Sequence, residues 1–288
     1  MHMQRASREA MPRLAQLWKE CFGDTEEFTG LIFARLIKPE QAFVSTEDGA
    51  IPAMMFYQPF KLKTHEGACK GAYIYGVATD PAYRGRGYST GLLEYANGRL
   101  SREGYALSVL VPADGGLFDF YAKRGYGVFS QLRHVAVNAG DIAAGAELSA
   151  SPVRLEDMRS LREAHFTPSS GFVSWDEDYL RFTGDECIHS GGGIYLLEGT
   201  GARGYAVCYP EEGAVCVKEL VLTPPLFDAA ASAIHRIYGA EKYIFRLRED
   251  FAMENVGALL PYSMVKWYDR SGAPEESPPP PYIAFTVD

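Results

Sequence analysis

One short segment of the chain combines the residue types that bind a phosphate group. An apolar run, predicted to be a buried strand, ends at Asp80-Pro81, and a glycine-rich loop with Arg84 and Arg86 follows before a helical pattern begins. Glycines let the backbone approach a ligand closely and direct successive N–H groups at it. The helix N-terminus adds a partial positive charge, and the arginines add fixed charge. The segment therefore predicts a site for an anion such as a pyrophosphate.

The spacing of the glycines separates three kinds of phosphate loop. A P-loop requires a lysine directly after its last glycine, and no lysine stands there. A dinucleotide fingerprint requires three glycines, but only Gly85 and Gly87 match and no acidic residue follows a second strand. The pattern [QR]-x-x-G-x-[GA] fits best, because Arg84, Gly87 and the small residue Ser89 occupy its fixed positions.

A second motif follows at a compatible distance. An apolar strand is predicted from Tyr105 to Val111, and after Pro112 a helical segment contains Tyr121, followed by Gly125-Tyr126. The two motifs in this order resemble the GNAT superfamily of N-acetyltransferases, whose pyrophosphate loop for acetyl-CoA has the form found here. A glycine-rich turn with surface arginines is the structural alternative, but it would leave the second motif as a coincidence.

The resemblance implies a role for each residue of the two motifs. The loop would hold the pyrophosphate of acetyl-CoA through backbone N–H groups, and the strand before it would bulge toward the pantetheine arm and the thioester carbonyl. Tyr121 matches the tyrosine near the CoA sulfur and is the predicted acid, because a phenol can protonate a thiolate. The predicted cofactor-binding residues are Val77, Ala78, Thr79, Arg84, Gly85, Arg86, Gly87, Tyr88, Ser89 and Thr90.

The sequence leaves the base and the acceptor pocket open. An alkylamine is mostly protonated at neutral pH, so another group must accept its proton. The candidates are Glu26, Glu27, Asp114, Asp119 and Glu219, with a water chain as an equal alternative. In the similar enhanced-intracellular-survival proteins the C-terminal carboxylate reaches the site, which adds Asp288 as a catalytic candidate. The aromatic residues Phe22, Phe28, Phe33, Phe56 and Tyr57 either line an acceptor pocket or form core, and core is favoured for most of them.

The order of elements repeats along the chain. The second half again reads strand, turn, helix, strand, but Thr223-Pro224-Pro225 replaces the glycine-rich loop. Thr223 is predicted to cap the helix and Pro224 to be its first residue. The two prolines remove two N–H donors from the turn. We therefore expect an α/β fold with a mixed α+β sheet: a GNAT fold in tandem, with a complete N-terminal half and a degenerate C-terminal half that does not bind CoA. An unrelated α/β or α+β domain is the alternative for the second half.

Composition suggests the domain boundaries. Residues 1–138 are predicted to be the catalytic, acetyl-CoA-binding domain, closed by a strand over 128–137. Residues 139–152, rich in Ala, Gly and Ser, are predicted to be a linker, and 153–270 the degenerate half. Residues 271–288 read as a proline-rich tail that ends in an alternating, strand-like segment. The arrangement resembles the enhanced-intracellular-survival acetyltransferases without their sterol-carrier-like domain.

Composition also limits the class of protein. The chain has 288 residues and a formal net charge of −9, which disfavours nucleic acid as a partner and favours a cationic amine. Five cysteines without a C-x-x-C pair indicate reduced thiols and a cytoplasmic protein. Six scattered histidines predict no metal site, and neither a membrane span nor a signal peptide is apparent.

These observations predict an N-acetyltransferase that uses acetyl-CoA and a small-molecule or peptide amine. Direct attack in a ternary complex is expected, because no residue of the two motifs is predicted to act as an acyl carrier. One alternative is a regulator that binds acyl-CoA without catalysis. Another is a peptidoglycan-type aminoacyl transferase that uses aminoacyl-tRNA, against which the intact loop and the acidic charge both count.

Overall fold

The computed structural model describes residues 1–64, 67–143, 147–167, 171–251, 256–269 and 281–284. The helices are α1 (Met11–Phe22), α2 (Glu26–Arg35), α3 (Tyr88–Arg102), α4 (Gly115–Ala122), α5 (Leu155–Phe166), α6 (Glu177–His189) and α7 (Phe227–Tyr238). The strands are β1 (His2–Arg5), β2 (Ala42–Glu47), β3 (Ala50–Thr64), β4 (Gly67–Thr79), β5 (Leu107–Leu110), β6 (Gly127–Asn138), β7 (Ser149–Pro152), β8 (Phe172–Ser174), β9 (Gly193–Gly199), β10 (Ala202–Glu211), β11 (Ala214–Thr223), β12 (Lys242–Arg248) and β13 (Ala258–Trp267).

All of these strands belong to one mixed sheet. Its order is β1-β2-β3-β4-β5-β13-β6-β12-β11-β10-β9-β7, and β8 pairs with β3 beside this path. Most neighbours are antiparallel, but β4 and β5 run parallel, as do β11 and β12. A parallel pair needs a crossover connection, and α3 and α7 supply it. The predicted mixed α/β fold is confirmed, and so is the repeat of strand, helix and strand in the second half.

The last strand of each half lies against the other half. We expected the strand over 128–137 to close the first half, but this was wrong: β6 pairs with β12 and β13 instead. Strand β13 lies at the end of the second half and was not predicted from the sequence. It pairs with β5 of the first half. A local pattern shows that a segment is a strand but not which distant strand it meets. The exchange makes the sheet continuous, so the division at residues 138 and 153 stays a prediction.

Three segments of the second half differ from their predicted structure. From the sequence we expected a helix starting at Leu155 and then an irregular segment to about Gly193. That segment contains β8 and α6, and Asp176 caps α6 by accepting a hydrogen bond from the Tyr179 N–H at 2.8 Å. Thr223 does not cap α7, because the helix begins at Phe227; the Thr223 hydroxyl instead contacts His165 Nδ1 at 3.0 Å. The end of the predicted linker is β7, which pairs with β9 at the sheet edge.

From the alternating pattern we expected the end of the tail to add to a sheet edge, and its described residues, 281–284, contact β8. Tyr282 forms a parallel bridge with Phe172 of β8, and the Trp175 indole N–H donates to the Ala284 carbonyl at 2.8 Å. Tyr282, Ile283 and Ala284 are buried. Burial of apolar side chains therefore holds this segment in place. Asp288 lies outside the described residues.

Candidate active site

Strand β4 carries a bulge where the cofactor-facing strand was predicted. Ala78 pairs with Met54 and Tyr75 with Phe56, so the two residues between them on β4 oppose one residue of β3. Gly76 has φ +57°, and a Cβ atom there would lie 2.5 Å from the Trp18 ring. Only glycine fits, and a bulge of this kind bends the strand and leaves one residue without a ladder partner. The bulge falls at Gly76 and Val77, one residue earlier than the predicted segment Val77–Thr79.

A cavity of about 590 Å³ lies beside this bulge. Strands β4 and β5 are paired over residues 71–74 and 107–110, and the ladder ends there. Beyond it, Tyr75–Val77 and the residues after β5 line the cavity, together with Leu117 and Tyr121 of α4. Residues of α1 and α2 line one part of the cavity wall, and residues of β6, β12 and β13 line another part. The strand exchange therefore brings the second half of the chain to this cavity.

The glycine-rich loop presents main-chain donors to open space. Gly85 and Gly87 have φ +77° and +81°, and Gly87 is the N-cap of α3 without a side-chain hydrogen bond. A Cβ atom at either glycine would meet nothing within 4 Å. The first N–H groups of a helix have no partner inside it. The corner thus fits a diphosphate, which would accept hydrogen bonds from these N–H groups.

Several predicted loop side chains are engaged within the protein. Arg84 Nε donates to the Thr79 carbonyl at 3.3 Å, and the Arg86 guanidinium lies 5.4 Å from the centre of the Tyr83 ring. The Tyr88 ring is buried and its hydroxyl donates to the Glu47 carboxylate. Tyr88 can therefore offer only its backbone N–H to a ligand. The side chain of Ser89 is partly exposed.

Thr90 connects the loop's helix to α4. Its hydroxyl oxygen accepts hydrogen bonds from Arg124 Nε at 3.2 Å and Nη2 at 2.5 Å. Arg124 Nη1 also donates to the Phe120 carbonyl at 2.5 Å, and the guanidinium lies 3.4 Å from the centre of the Phe120 ring. The arginine, which the sequence did not single out for this role, therefore holds the start of α3 against the helix that carries Tyr121.

Tyr121 lies in the cavity wall with its ring packed in the protein. Its exposed fraction is 7%, and its ring meets those of Phe120 and Tyr126 at centroid distances of 5.1 and 5.8 Å. Burial raises the pKa of Tyr121 to about 12, against a smaller lowering by the charge of Arg124. The phenol therefore stays protonated at neutral pH, as a proton donor must.

A buried network of hydrogen bonds includes Tyr126, whose ring packs against Tyr121. The Ser108 hydroxyl lies 3.0 Å from Asn97 Oδ1 and 2.9 Å from the Tyr126 hydroxyl, which also donates to Asn97 Oδ1 at 3.0 Å. The Tyr268 hydroxyl, beyond β13, donates to the same amide oxygen. The network joins α3, β5 and the chain after β13, so it fixes the two motifs relative to each other.

None of the five carboxylates proposed as the base lines the cavity. Glu26, Glu27 and Asp119 are exposed, and Asp114 caps α4 by accepting a hydrogen bond from the Leu117 N–H at 2.9 Å. Glu219 is fully buried against Arg162, at 3.3 Å, and the Tyr205 hydroxyl. Direct proton transfer from an amine in this cavity to any of the five is therefore not supported, and the identity of the base stays a prediction.

The cavity instead contains titratable groups that sequence reasoning missed. Asp24, between α1 and α2, accepts a hydrogen bond at 2.7 Å from the Trp18 indole N–H. His134 of β6 and Arg246 of β12, which are paired in the sheet, also line the cavity. Burial lowers the pKa of His134, and the charge of Arg246 lowers it further. No local sequence pattern shows that these residues line the cavity, because that depends on how distant strands and helices come together.

The five aromatic candidates divide between pocket and core. Phe22 and Phe28 line the cavity. Phe56 and Tyr57 are buried, and Phe33 packs edge-on against Phe56 with centroids 5.9 Å apart. The interpretation as core is therefore confirmed for three of the five.

Neither a metal site nor a membrane span is found in the part of the chain that the structure describes. Within the described ranges, no group of three or more His, Cys, Asp or Glu side chains could hold a metal ion. In the same part of the chain, no helix combines the length and apolar character needed to span a bilayer.

The site therefore combines a bulged strand, a parallel partner strand that ends beside the bulge, and a glycine-rich turn before a helix. Residues 2–129 match the family model described as the acetyltransferase (GNAT) domain. The first half of the chain is therefore similar to a GNAT acetyltransferase domain, the family that its two motifs resemble. No curated protein matches the chain in sequence.

Solved structures share the fold over nearly the whole chain. A probable N-acyltransferase from Enterococcus faecalis V583 superposes with a TM-score of 0.76 at 19% identity, covering 92% of this chain and 72% of that one. A GCN5-related N-acetyltransferase from Anabaena variabilis has the same TM-score and coverages at 16% identity. Eis1 from Mycobacterium abscessus gives a TM-score of 0.70 at 11% identity, covering 93% and 74%. This coverage is consistent with the tandem arrangement.

Proposed function

We propose that this protein transfers the acetyl group of acetyl-CoA to an amine by direct attack in a ternary complex. One observation carries the proposal: the bulge at Gly76 and Val77 and the side chain of Tyr121 line the same cavity. In the same half, α3 begins at Gly87, at the end of the glycine-rich loop. An acyl transfer needs these parts together, namely a held diphosphate, a polarised carbonyl and a proton donor for the leaving sulfur.

Each part of the site has a defined task. Acetyl-CoA, when bound, supplies the acetyl thioester. The backbone N–H groups of residues 84–90 bind its diphosphate, and an N–H of the bulge near Val77 donates to the carbonyl oxygen. Loss of one such oxyanion donor typically costs about 2.7–4 kcal/mol. Tyr121 donates its proton to the sulfur as the carbon–sulfur bond breaks.

The cavity lining supports direct attack. Among the lining residues, all within the described part of the chain, there is no Cys or Ser to carry the acetyl group. The amine must then meet the thioester itself. The cavity of about 590 Å³ is where the two would meet.

The test combines calorimetric titration of acetyl-CoA with thioester consumption in the presence of an amine panel. We expect binding and amine-dependent consumption. Tyr121→Phe should lower kcat on the order of 100-fold, a typical size for loss of a general acid, and leave the acetyl-CoA affinity within about twofold. Tyr238→Phe is the matched control, because that hydroxyl contacts Tyr195 in the second half.

Other outcomes separate the alternatives. Acetyl-CoA binding without thioester consumption for any amine would identify a regulator. Binding of aminoacyl-tRNA instead of acetyl-CoA would identify an aminoacyl transferase. Unchanged turnover in Tyr121→Phe would remove Tyr121 from the reaction.

A further inference from the structure

One wall of the cavity is aromatic. Trp18 and Phe22 of α1 have ring centroids 4.7 Å apart, and Phe28 of α2 lies on the same wall. Phe22 is 44% exposed, which is unusual for a phenylalanine in the wall of a cavity. At the floor, Tyr73 and Tyr75 are stacked with centroids 5.5 Å apart. The wall thus offers aromatic surface that a flat apolar group would bury.

The cavity contains few charges. Asp24 is its one carboxylate among the described lining residues, and the Trp18 indole already donates to it. Arg246, a cation, also lines the cavity. A substrate with several ammonium groups would need several carboxylates and would be repelled by this arginine. The charge pattern therefore fits an acceptor with one amine.

We propose that the acceptor is an arylalkyl monoamine whose ring binds against Trp18, Phe22 and Phe28. The inference rests on the proposed function and names the substrate class of the same site. The cavity of about 590 Å³ must also admit the acetyl end of the donor, so the acceptor is small. Its amine points toward the bulge at Val77, and its ring toward α1 and α2.

The test compares kcat/KM for 2-phenylethylamine, tryptamine, n-butylamine and spermidine. We expect the two aryl amines to be preferred. Phe22→Ala and Phe28→Ala should lower kcat/KM for the aryl amines about tenfold, the loss expected for one ring contact, and change that for n-butylamine less than twofold. Ile188→Ala, at a 70% exposed site on α6, is the control, and acetyl-CoA titration shows that each variant is folded.

Each contrary result has a distinct meaning. Preference for spermidine, or equal effects of Phe22→Ala on aryl and alkyl amines, would overturn the substrate class while acetyl transfer stands. If the wild-type protein binds acetyl-CoA but acetylates no amine, the proposed function fails and this inference fails with it.

A separate observation concerns the proton of the amine. His134 lies opposite Arg246 in the β6–β12 register and lines the cavity, and no hydrogen bond to its ring is found in the described part of the chain. Burial keeps the imidazole neutral at neutral pH, because it lowers the pKa below its ordinary value. The other titratable or charged groups lining the cavity are Asp24, Tyr73, Tyr75, Tyr121, Arg246 and Tyr262.

We infer that His134 is the catalytic base. The amine begins as an ammonium group, and His134 takes one of its protons, which frees the nitrogen lone pair for its bond to the acetyl carbon. The carbon–sulfur bond breaks, and the sulfur takes the proton of Tyr121. The second proton that the nitrogen loses restores Tyr121 through water, and His134 releases its proton to water. One proton is thus released overall and no further reactant is consumed.

The test is the pH profile of kcat at saturating amine. The neutral imidazole is the active form, so wild-type kcat should rise with pH through an apparent pKa below the ordinary histidine value of about 6.5. His134→Gln should lose this rise and lower kcat at pH 7 about 100-fold, with acetyl-CoA affinity unchanged. His2→Gln, at an exposed site on β1, is the control. An unchanged profile in His134→Gln would overturn the assignment.

Discussion

Helices α1 and α5, each of twelve residues, occupy corresponding positions in the two halves. They pack differently against the bulged strand of their half. The eighth residue is Trp18 in α1 and Arg162 in α5. Trp18 packs beside the bulge of β4 and leaves a cavity. Strand β11 has a bulge as well, with Lys218 as its extra residue. There Arg162 reaches the adjacent Glu219 at 3.3 Å, and the space is filled.

The turns that follow the two bulged strands also differ, because the first offers more main-chain N–H donors than the second. In the first half Gly87 begins α3 with open N–H groups, whereas Leu226 begins α7 after two prolines in the second. The comparison shows that the strand–helix corner alone does not create a binding site. A site also needs open main-chain donors and space beside the bulge, and among the residues that the structure describes both occur together in the first half only.

The largest expected effect comes from breaking the ion pair that fills the second half. Glu219→Leu leaves the Arg162 charge buried without its partner, because both side chains are at most 4% exposed. We expect the free energy of unfolding to fall by about 3–5 kcal/mol, measured by urea denaturation. The double variant Arg162→Met, Glu219→Leu should recover most of this loss. A loss below about 1 kcal/mol in the single variant would show that the pair does not stabilise this half.

The next effect tests whether the glycine corner binds the diphosphate. Gly87→Val forces a β-branched residue into φ +81° and places its side chain where the diphosphate would lie. We expect the acetyl-CoA affinity to fall about 10- to 100-fold by calorimetry. Gly239→Val is the matched control, because Gly239 ends α7 at φ +58° with equally open space. Equal losses of affinity in both variants would contradict a site confined to the first half.

The smallest effect distinguishes a cofactor contact from a structural one at Thr90. Thr90→Val removes the oxygen that accepts two hydrogen bonds from Arg124. Because the hydroxyl is already engaged, we expect the free energy of unfolding to fall by about 1–2 kcal/mol. The acetyl-CoA affinity should change less than threefold, as in the control Ser89→Ala. A tenfold loss of affinity with unchanged stability would make Thr90 a direct ligand of the cofactor.

The motifs were predictable from the sequence because they are formed by consecutive residues. The glycines at 85 and 87 have positive φ angles, and Tyr121 lies on a helix after the predicted strand. The prolines before α7 identified the second corner as different. The surroundings of single side chains, such as the burial of Glu219 against Arg162, depend on which distant groups a side chain meets. A carboxylate in a strand pattern can face a cleft or a buried arginine, and the pattern is the same.

The sequence by itself determined the two local motifs, the repeated order of elements and the loss of donors in the second corner, because each depends on backbone geometry within a few residues. Tertiary structure alone decided that β13 inserts between β5 and β6, and that His134 and Arg246 face the cavity of the first half. Strand partners are chosen by burial across the whole sheet, which no local pattern contains.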